Sequence, residues 1–200
     1  MQWGGSSTVG LAAIQLAKAA GFFPILTTAS PRNHATLLSL GATHTFDYNS
    51  PTVVADIQAA VAASGKQLSV VADAVTAGTG FAEPPQLSSP DITKSSPYIA
   101  KQALSKDAKD VRLAAVLGVE FDPDWKFTYA IRRPGDQPEF AAWHERMMAV
   151  TNWLWANHAE LKFKLPRVTV VHGAEAGIKA IQDVFAGKIS MEKFVIKHPM

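Results

Sequence analysis

The sequence predicts an α/β fold built on a doubly wound parallel sheet. Three observations carry that expectation: a strand that turns through Gly4 to Gly10 into an alanine-rich helix, short apolar runs alternating with amphipathic stretches, and a closing strand–helix–strand. In the first, Trp3 leads into Gly4-Gly5-Ser6-Ser7-Thr8-Val9-Gly10. Leu11 to Ala20 then reads as a helix, with Leu11, Ile14 and Leu16 directed at a core and four alanines permitting close packing. Gly21 stops it. Phe23 to Ala29 reads as a buried second strand, Asn33 to Leu40 as a helix ended by Gly41, and Thr43 to Tyr48 as a third strand. An amphipathic helix runs from Pro51 to Ala63, and Leu68 to Asp73 is a fourth strand.

Thr76 to Pro97, rich in Gly, Pro and Ser, reads as a long loop. Pro97 to Lys106 follows as helix and Val111 to Gly118 as a fifth strand, while Phe121 to Pro138 is aromatic and irregular. A long helix is expected from Pro138 to His158, with Phe140, Trp143, Met147, Val150 and Leu154 on one core-facing stripe. Trp153 and Trp155 cannot both share that stripe, which leaves a cleft or a subunit contact for the remainder. Leu165 to His172, Ala174 to Ala186 and Glu192 to Lys197 close the chain as strand, helix, strand.

Composition narrows the function classes. A chain of 200 residues can bury about 70% of its unfolded surface and needs no covalent staple. Nineteen basic against seventeen acidic residues leave a net charge of +2, too small and too scattered to bind nucleic acid or a membrane surface. The charged fraction of 18% is below the usual ~25% and suggests a surface covered by a ligand or partner. There is no Cys, which removes disulfides, thiolate zinc sites and a cysteine nucleophile. The six His show no His-x-x-x-His or His-Glu-x-x-His spacing, so no metal site is expected. No apolar run reaches the ~20 residues of a membrane span, and no signal peptide precedes Gly4, so a cytoplasmic location is the default.

The strongest chemical signal is the opening turn. A strand passing through small residues into a helix presents backbone N–H groups and the positive helix end to a pyrophosphate. On the G-x-G-x-x-G pattern Gly5, Ser7 and Gly10 take the three key places, with Ser6, Thr8 and Val9 between them; a strand–helix turn also needs small residues for packing alone. An NAD site carries an acid some twenty residues on, at the end of the second strand. Here Ala29-Ser30-Pro31-Arg32-Asn33 stands there instead. A hydroxyl, a guanidinium and an amide without a carboxylate suit a 2′-phosphate, so NADPH is the expected cofactor. Helix capping accounts equally for Ser30 and Asn33. Asp73, after the fourth strand, is placed either beside this cleft or in a turn.

Trp3 to Lys18 resembles the cofactor-binding segment of the medium-chain dehydrogenase/reductases. The likeness is nearest to the zinc-free quinone oxidoreductases and the stand-alone fungal enoyl reductases that serve polyketide synthases. Leu40-Gly41-Ala42-Thr43-His44-Thr45-Phe46-Asp47-Tyr48 is similar to that family's Gly-Ala…Asp-Tyr stretch, and Gly187-Lys188-Ile189-Ser190-Met191-Glu192-Lys193 to its Gly-Lys-x-Ser-x-x-Lys ending. The resemblance implies a Rossmann-like domain over residues 1–160 with sheet order 3-2-1-4-5-6, and Tyr48 near the adenosine 2′-phosphate. It implies that 161–200 are a residual strand–helix–strand of a catalytic domain otherwise absent, leaving strand edges for a second copy or another protein to cover. The implied reaction is hydride transfer to the β-carbon of an α,β-unsaturated polyketide-type substrate, with no catalytic residue assignable in this chain. The alternative is a repurposed, non-redox protein: an isomerase, a cyclase or a binding subunit.

Overall fold

The computed structural model describes residues 1–79, 91–127 and 138–197, with the side chains of 138–143 outside that description. Six strands form one parallel sheet: β1 (Gln2–Trp3), β2 (Leu26–Thr28), β3 (His44–Phe46), β4 (Val70–Asp73), β5 (Arg112–Ala115) and β6 (Trp125–Phe127). Their order is β3-β2-β1-β4-β5-β6, the order expected. All neighbours are parallel, with Gln2 opposite both Thr27 and Ala72 at the point where the winding reverses. Parallel strands need crossovers, and helices supply those from β1 to β5, while residues 116–124 cross to β6 without one.

Helices α1 (Thr8–Ala19) and α2 (His34–Leu40) cover one face. Their Leu11, Ile14, Leu37 and Leu40 meet Ile25, Ala29 and Ala42 in one dry cluster. Helices α3 (Val53–Ala63) and α4 (Ser96–Gln102) cover the other, where Val53, Ile57, Val61, Ala100 and Ala103 pack on Trp3, Val71, Leu113 and Trp125. Full burial of a Leu, Ile or Val side chain contributes about 1.5–3 kcal/mol, and both faces are furnished with them. Helices bury both faces of the sheet, as a doubly wound sheet requires, with Gln2, Thr27 and Thr28 as buried polar strand residues among the apolar ones.

The structure departs from the sequence expectations in two places. Trp125-Lys126-Phe127, inside the stretch expected to be irregular, pairs with Leu113, Ala114 and Ala115 as the sixth strand. Lys101 fixes the approach to it, reaching Asp122 at 2.6 Å and Asp124 at 2.8 Å. Helix α5 (Pro138–Asn157) spans the expected residues but is not a core helix along its described half. Val150, Trp153 and Trp155 are exposed, Trp155 at 79%, and only Met147 and Leu154 on the expected stripe are half-buried. Phe140 and Trp143 of that stripe lie outside the described side chains, as do residues 80–90 of the expected loop.

The closing elements are β7 (Arg167–His172), α6 (Ala174–Phe185) and β8 (Glu192–Lys197). The two strands pair in parallel as a separate sheet, Arg167 opposite Glu192 and His172 opposite Lys197. Gly177 of α6 sits where a Cβ would come within 3.0 Å of Ile196, so the helix lies close on the sheet. Val168, Val170 and Val195 remain exposed, as do Ile178, Ile181 and Phe185 on α6. Among the described residues no helix is long and apolar enough to cross a membrane.

Candidate functional site

A cleft of about 560 Å³ opens at the C-terminal ends of the strands, at the reversal point between β1 and β4. This is where doubly wound sheets bind ligands. A hollow of about 130 Å³ at the opposite strand ends is smaller and lies away from the helix N-termini.

The β1–α1 turn forms the cleft floor. Gly4, at φ +75°, makes the turn: a side chain there would strike Val75, and its N–H donates to Thr28 Oγ1 at 3.1 Å. Gly5 donates to Thr28 O at 2.9 Å, and a Cβ on it would lie 2.2 Å from Thr27 Oγ1. Ser7 caps α1, its Oγ accepting from Gly10 N at 3.0 Å, and Leu11 N donates to Ser7 O. Thr8 and Val9, the first two helical residues, therefore keep N–H groups with no acceptor inside the helix. The first turn carries no acid and Lys18 stands in the last, so the positive helix end is not neutralised. A Cβ on Gly10 would fall 2.3 Å from Gly4 O and 2.8 Å from Gly5 Cα, which fixes glycine there for helix–turn packing.

The second wall rises from the end of β2. Ala29, Ser30 and Arg32 line it with Tyr48 and Asn49, and Ser30 Oγ lies 3.4 Å from Tyr48 Oη. Arg32 is exposed, in a 3₁₀ turn of Pro31–Asn33. Among the described residues no carboxylate lines this wall. Asn33 is buried, and its Nδ2 donates to Ser190 Oγ at 2.8 Å rather than reaching the cleft.

The third wall is the end of β4 with the start of α4: Val75, Ala77, Lys94, Ser96 and Ile99. Asp73 organises it from beneath. Its carboxylate accepts from Val75 N at 2.8 Å, Thr76 N at 3.0 Å and Ser96 Oγ at 2.6 Å. Burial pushes its pKa up despite these three donors. Asp73 thus takes the turn role, one side chain behind the cleft. Residues 187–192 form the rim, through Gly187, Ile189, Ser190, Met191 and Glu192. Glu192 accepts from Arg167 at 2.7 Å and also from Thr169, and the Arg167 bond holds its carboxyl below the usual range.

Ser6, Ser7, Thr8, Ser30, Arg32 and Tyr48 are thus brought together around one cleft, whereas Gly5, Gly10 and Asn33 stand behind it and Val9 opens the helix beside it. Sequence reasoning passed over Gly4 as the turn glycine and had no signal for Lys94, Ser96 or Ile99, since residues far apart in the chain meet only through the sheet order.

Residues 8–91 match the family described as zinc-binding dehydrogenase. The trans-enoyl reductase mpsG of Macrophomina phaseolina is 57% identical over 58 residues, 29% of this chain and 16% of that protein. Over these segments the chain is similar to proteins described as zinc-binding dehydrogenases and trans-enoyl reductases. Two solved structures of similar fold are a quinone oxidoreductase of Pseudomonas syringae and the Etr1p complex with NADP and crotonyl-CoA. The first gives a TM-score of 0.60 at 18% identity, over 98% of this chain and 55% of the other. The second gives 0.56 at 20% identity, over 98% and 53%. The chain thus spans about half the length of these solved chains. The zinc of the family description finds no fit: the sequence has no Cys, and among the described residues no three His, Asp or Glu side chains come together.

Proposed function

We propose that the cleft binds NADPH and that the chain works as an enoyl- or quinone-reductase-like protein on an α,β-unsaturated, polyketide-type substrate. The observation that carries this reading is the β2-end wall, where Ser30, Arg32 and Tyr48 meet without a carboxylate. An Arg fork binds a 2′-phosphate through paired donors, and a carboxylate in its place would repel it. Gly5, Ser6, Ser7, Thr8, Val9 and Gly10 form the pyrophosphate cradle in this reading, through the free amides of Thr8 and Val9 and the open α1 end. The trans-enoyl reductase relative and the NADP held in the Etr1p complex support the choice of cofactor. When bound, NADPH supplies a hydride. The chain's own residues bind and orient it: Arg32 and Tyr48 at the adenosine end, the β4–α4 wall opposite. Residues 1–160 act as the dinucleotide domain and 161–200 as a separate strand–helix–strand unit.

The alternative is a non-redox role, as isomerase, cyclase or binding subunit. Fluorescence titration with NADPH separates the two. Saturable micromolar binding, followed by NADPH oxidation with an enoyl thioester or a quinone, supports the reductase; absence of binding at millimolar cofactor leaves the non-redox role. We also infer that a second copy of the chain covers the exposed apolar faces of β7, β8 and α6 in a soluble assembly.

A further inference from the structure

The closing sheet is held to the cofactor-type domain by two buried side-chain amides. Gln15 on α1 donates to Lys164 O at 2.9 Å and accepts from Lys164 N at 2.7 Å, as a neighbouring strand would. Asn33 Nδ2 donates to Ser190 Oγ at 2.8 Å. Between these ties, Met191 packs against the Leu11 and Ile14 cluster. Asn33 directly follows Arg32 in one 3₁₀ turn, and Ser190 lies within the rim 187–192. The Asn33–Ser190 hydrogen bond, behind the cleft, thus ties the turn that carries the guanidinium to the rim.

We propose that Asn33 is a positioning residue that acts on the bound dinucleotide through Ser190: the bond holds the 187–192 rim over the cleft, so that cofactor binding and docking of the closing sheet favour one another. This rests on the NADPH reading of the cleft. With the rim in place Asn33 is only 7% exposed, and a rim that moved away would break its bond to Ser190, which favours the seated rim by the worth of one hydrogen bond. A ligand that touches both wall and rim binds best when the rim is already in place. By linkage it must in turn stabilise that placement. Asn33 therefore matters equally for any dinucleotide that spans the cleft, whereas Arg32 matters for the 2′-phosphate.

The test measures NADPH and NADH affinity of the full chain, its Asn33→Ala, Ser190→Ala and Ser190→Thr variants and the double alanine variant, with hydrogen exchange of residues 187–197 with and without NADPH. Each alanine variant is expected to bind both dinucleotides about three- to tenfold more weakly, the scale of one hydrogen bond. The double variant should be no worse than the weaker single one, and Ser190→Thr, which keeps the hydroxyl, should bind as the unmodified chain does. NADPH should slow exchange in 187–197 of the unmodified chain but not of Asn33→Ala. Should Asn33→Ala fail to fold, the half-exposed Ser190 variants carry the comparison. Unchanged affinity in the Ser190→Ala variant, or loss of NADPH without loss of NADH in Asn33→Ala, overturns the inference while the NADPH reading stands. An unmodified chain that binds no NADPH removes both.

Discussion

Arg32 and Asn33 are neighbours in one turn, yet the fold gives them different work, one facing the cleft and one the rim. The Arg32→Ala variant should lose about ten- to a hundredfold in NADPH affinity, the worth of a charge-assisted bond, with little change for NADH. Equal losses for both, read by nicotinamide fluorescence, would remove the 2′-phosphate assignment. Asp73 is the other residue on which the site leans. Its removal in Asp73→Ala strands the N–H groups of Val75 and Thr76 and the Ser96 hydroxyl, and should lower the unfolding free energy by about 2–4 kcal/mol in a urea titration. Because burial raises its folded pKa above the unfolded value, Asp73 contributes most stability below its ordinary pKa. That contribution is lost as pH rises through the raised value. A stability–pH profile of Asp73→Asn should lack this decline, and an unchanged profile would show that the burial cost is not felt. The cleft-lining role of Ser30 and Arg32 could be read in the sequence because it depends on what a short segment lacks, a carboxylate. The Asn33–Ser190 bond could not, since 157 positions separate its partners.

At the level of the element, α1 and the turn before it act as one unit. The Gly10→Ala variant places a methyl against Gly4 O and Gly5 Cα, backbone atoms that cannot step aside. It should cost about 1–3 kcal/mol of stability by chemical denaturation and weaken NADPH binding, and wild-type stability would contradict the packing role. Most elements were legible because their signals are local: alternation of apolar runs and glycine stops. Strand β6 was not. Its alternation of Trp125, Lys126 and Phe127 follows Asp-Pro-Asp directly and is too short to mark a strand by itself, so pairing with β5 defines it. Helix α5 misled in the opposite direction. Its apolar spacing satisfies the rule for a core stripe, but spacing shows which residues share a face and leaves open what that face meets.

For the whole molecule, two bodies of unequal completeness stand out. The six-stranded sheet is covered on both faces, whereas the two-stranded sheet with α6 leaves Val168, Val170, Val195, Ile178, Ile181 and Phe185 exposed, Phe185 at 94%. Two parallel strands with open edges are marginal alone. Light scattering across a dilution series should give at least twice the 21.5 kDa of one chain, and a constant single-chain mass would contradict the covering by a second copy. The sheet order was anticipated from the resemblance rather than from the strand–helix alternation, and the way the closing unit supplies the rim of the cleft emerges only in three dimensions. The account as a whole depends on the cleft at the sheet's reversal point being a dinucleotide site. Titrating NADPH into the purified chain and following nicotinamide fluorescence tests this most directly: saturable binding at micromolar concentrations is the predicted result, and no change up to millimolar NADPH would contradict it.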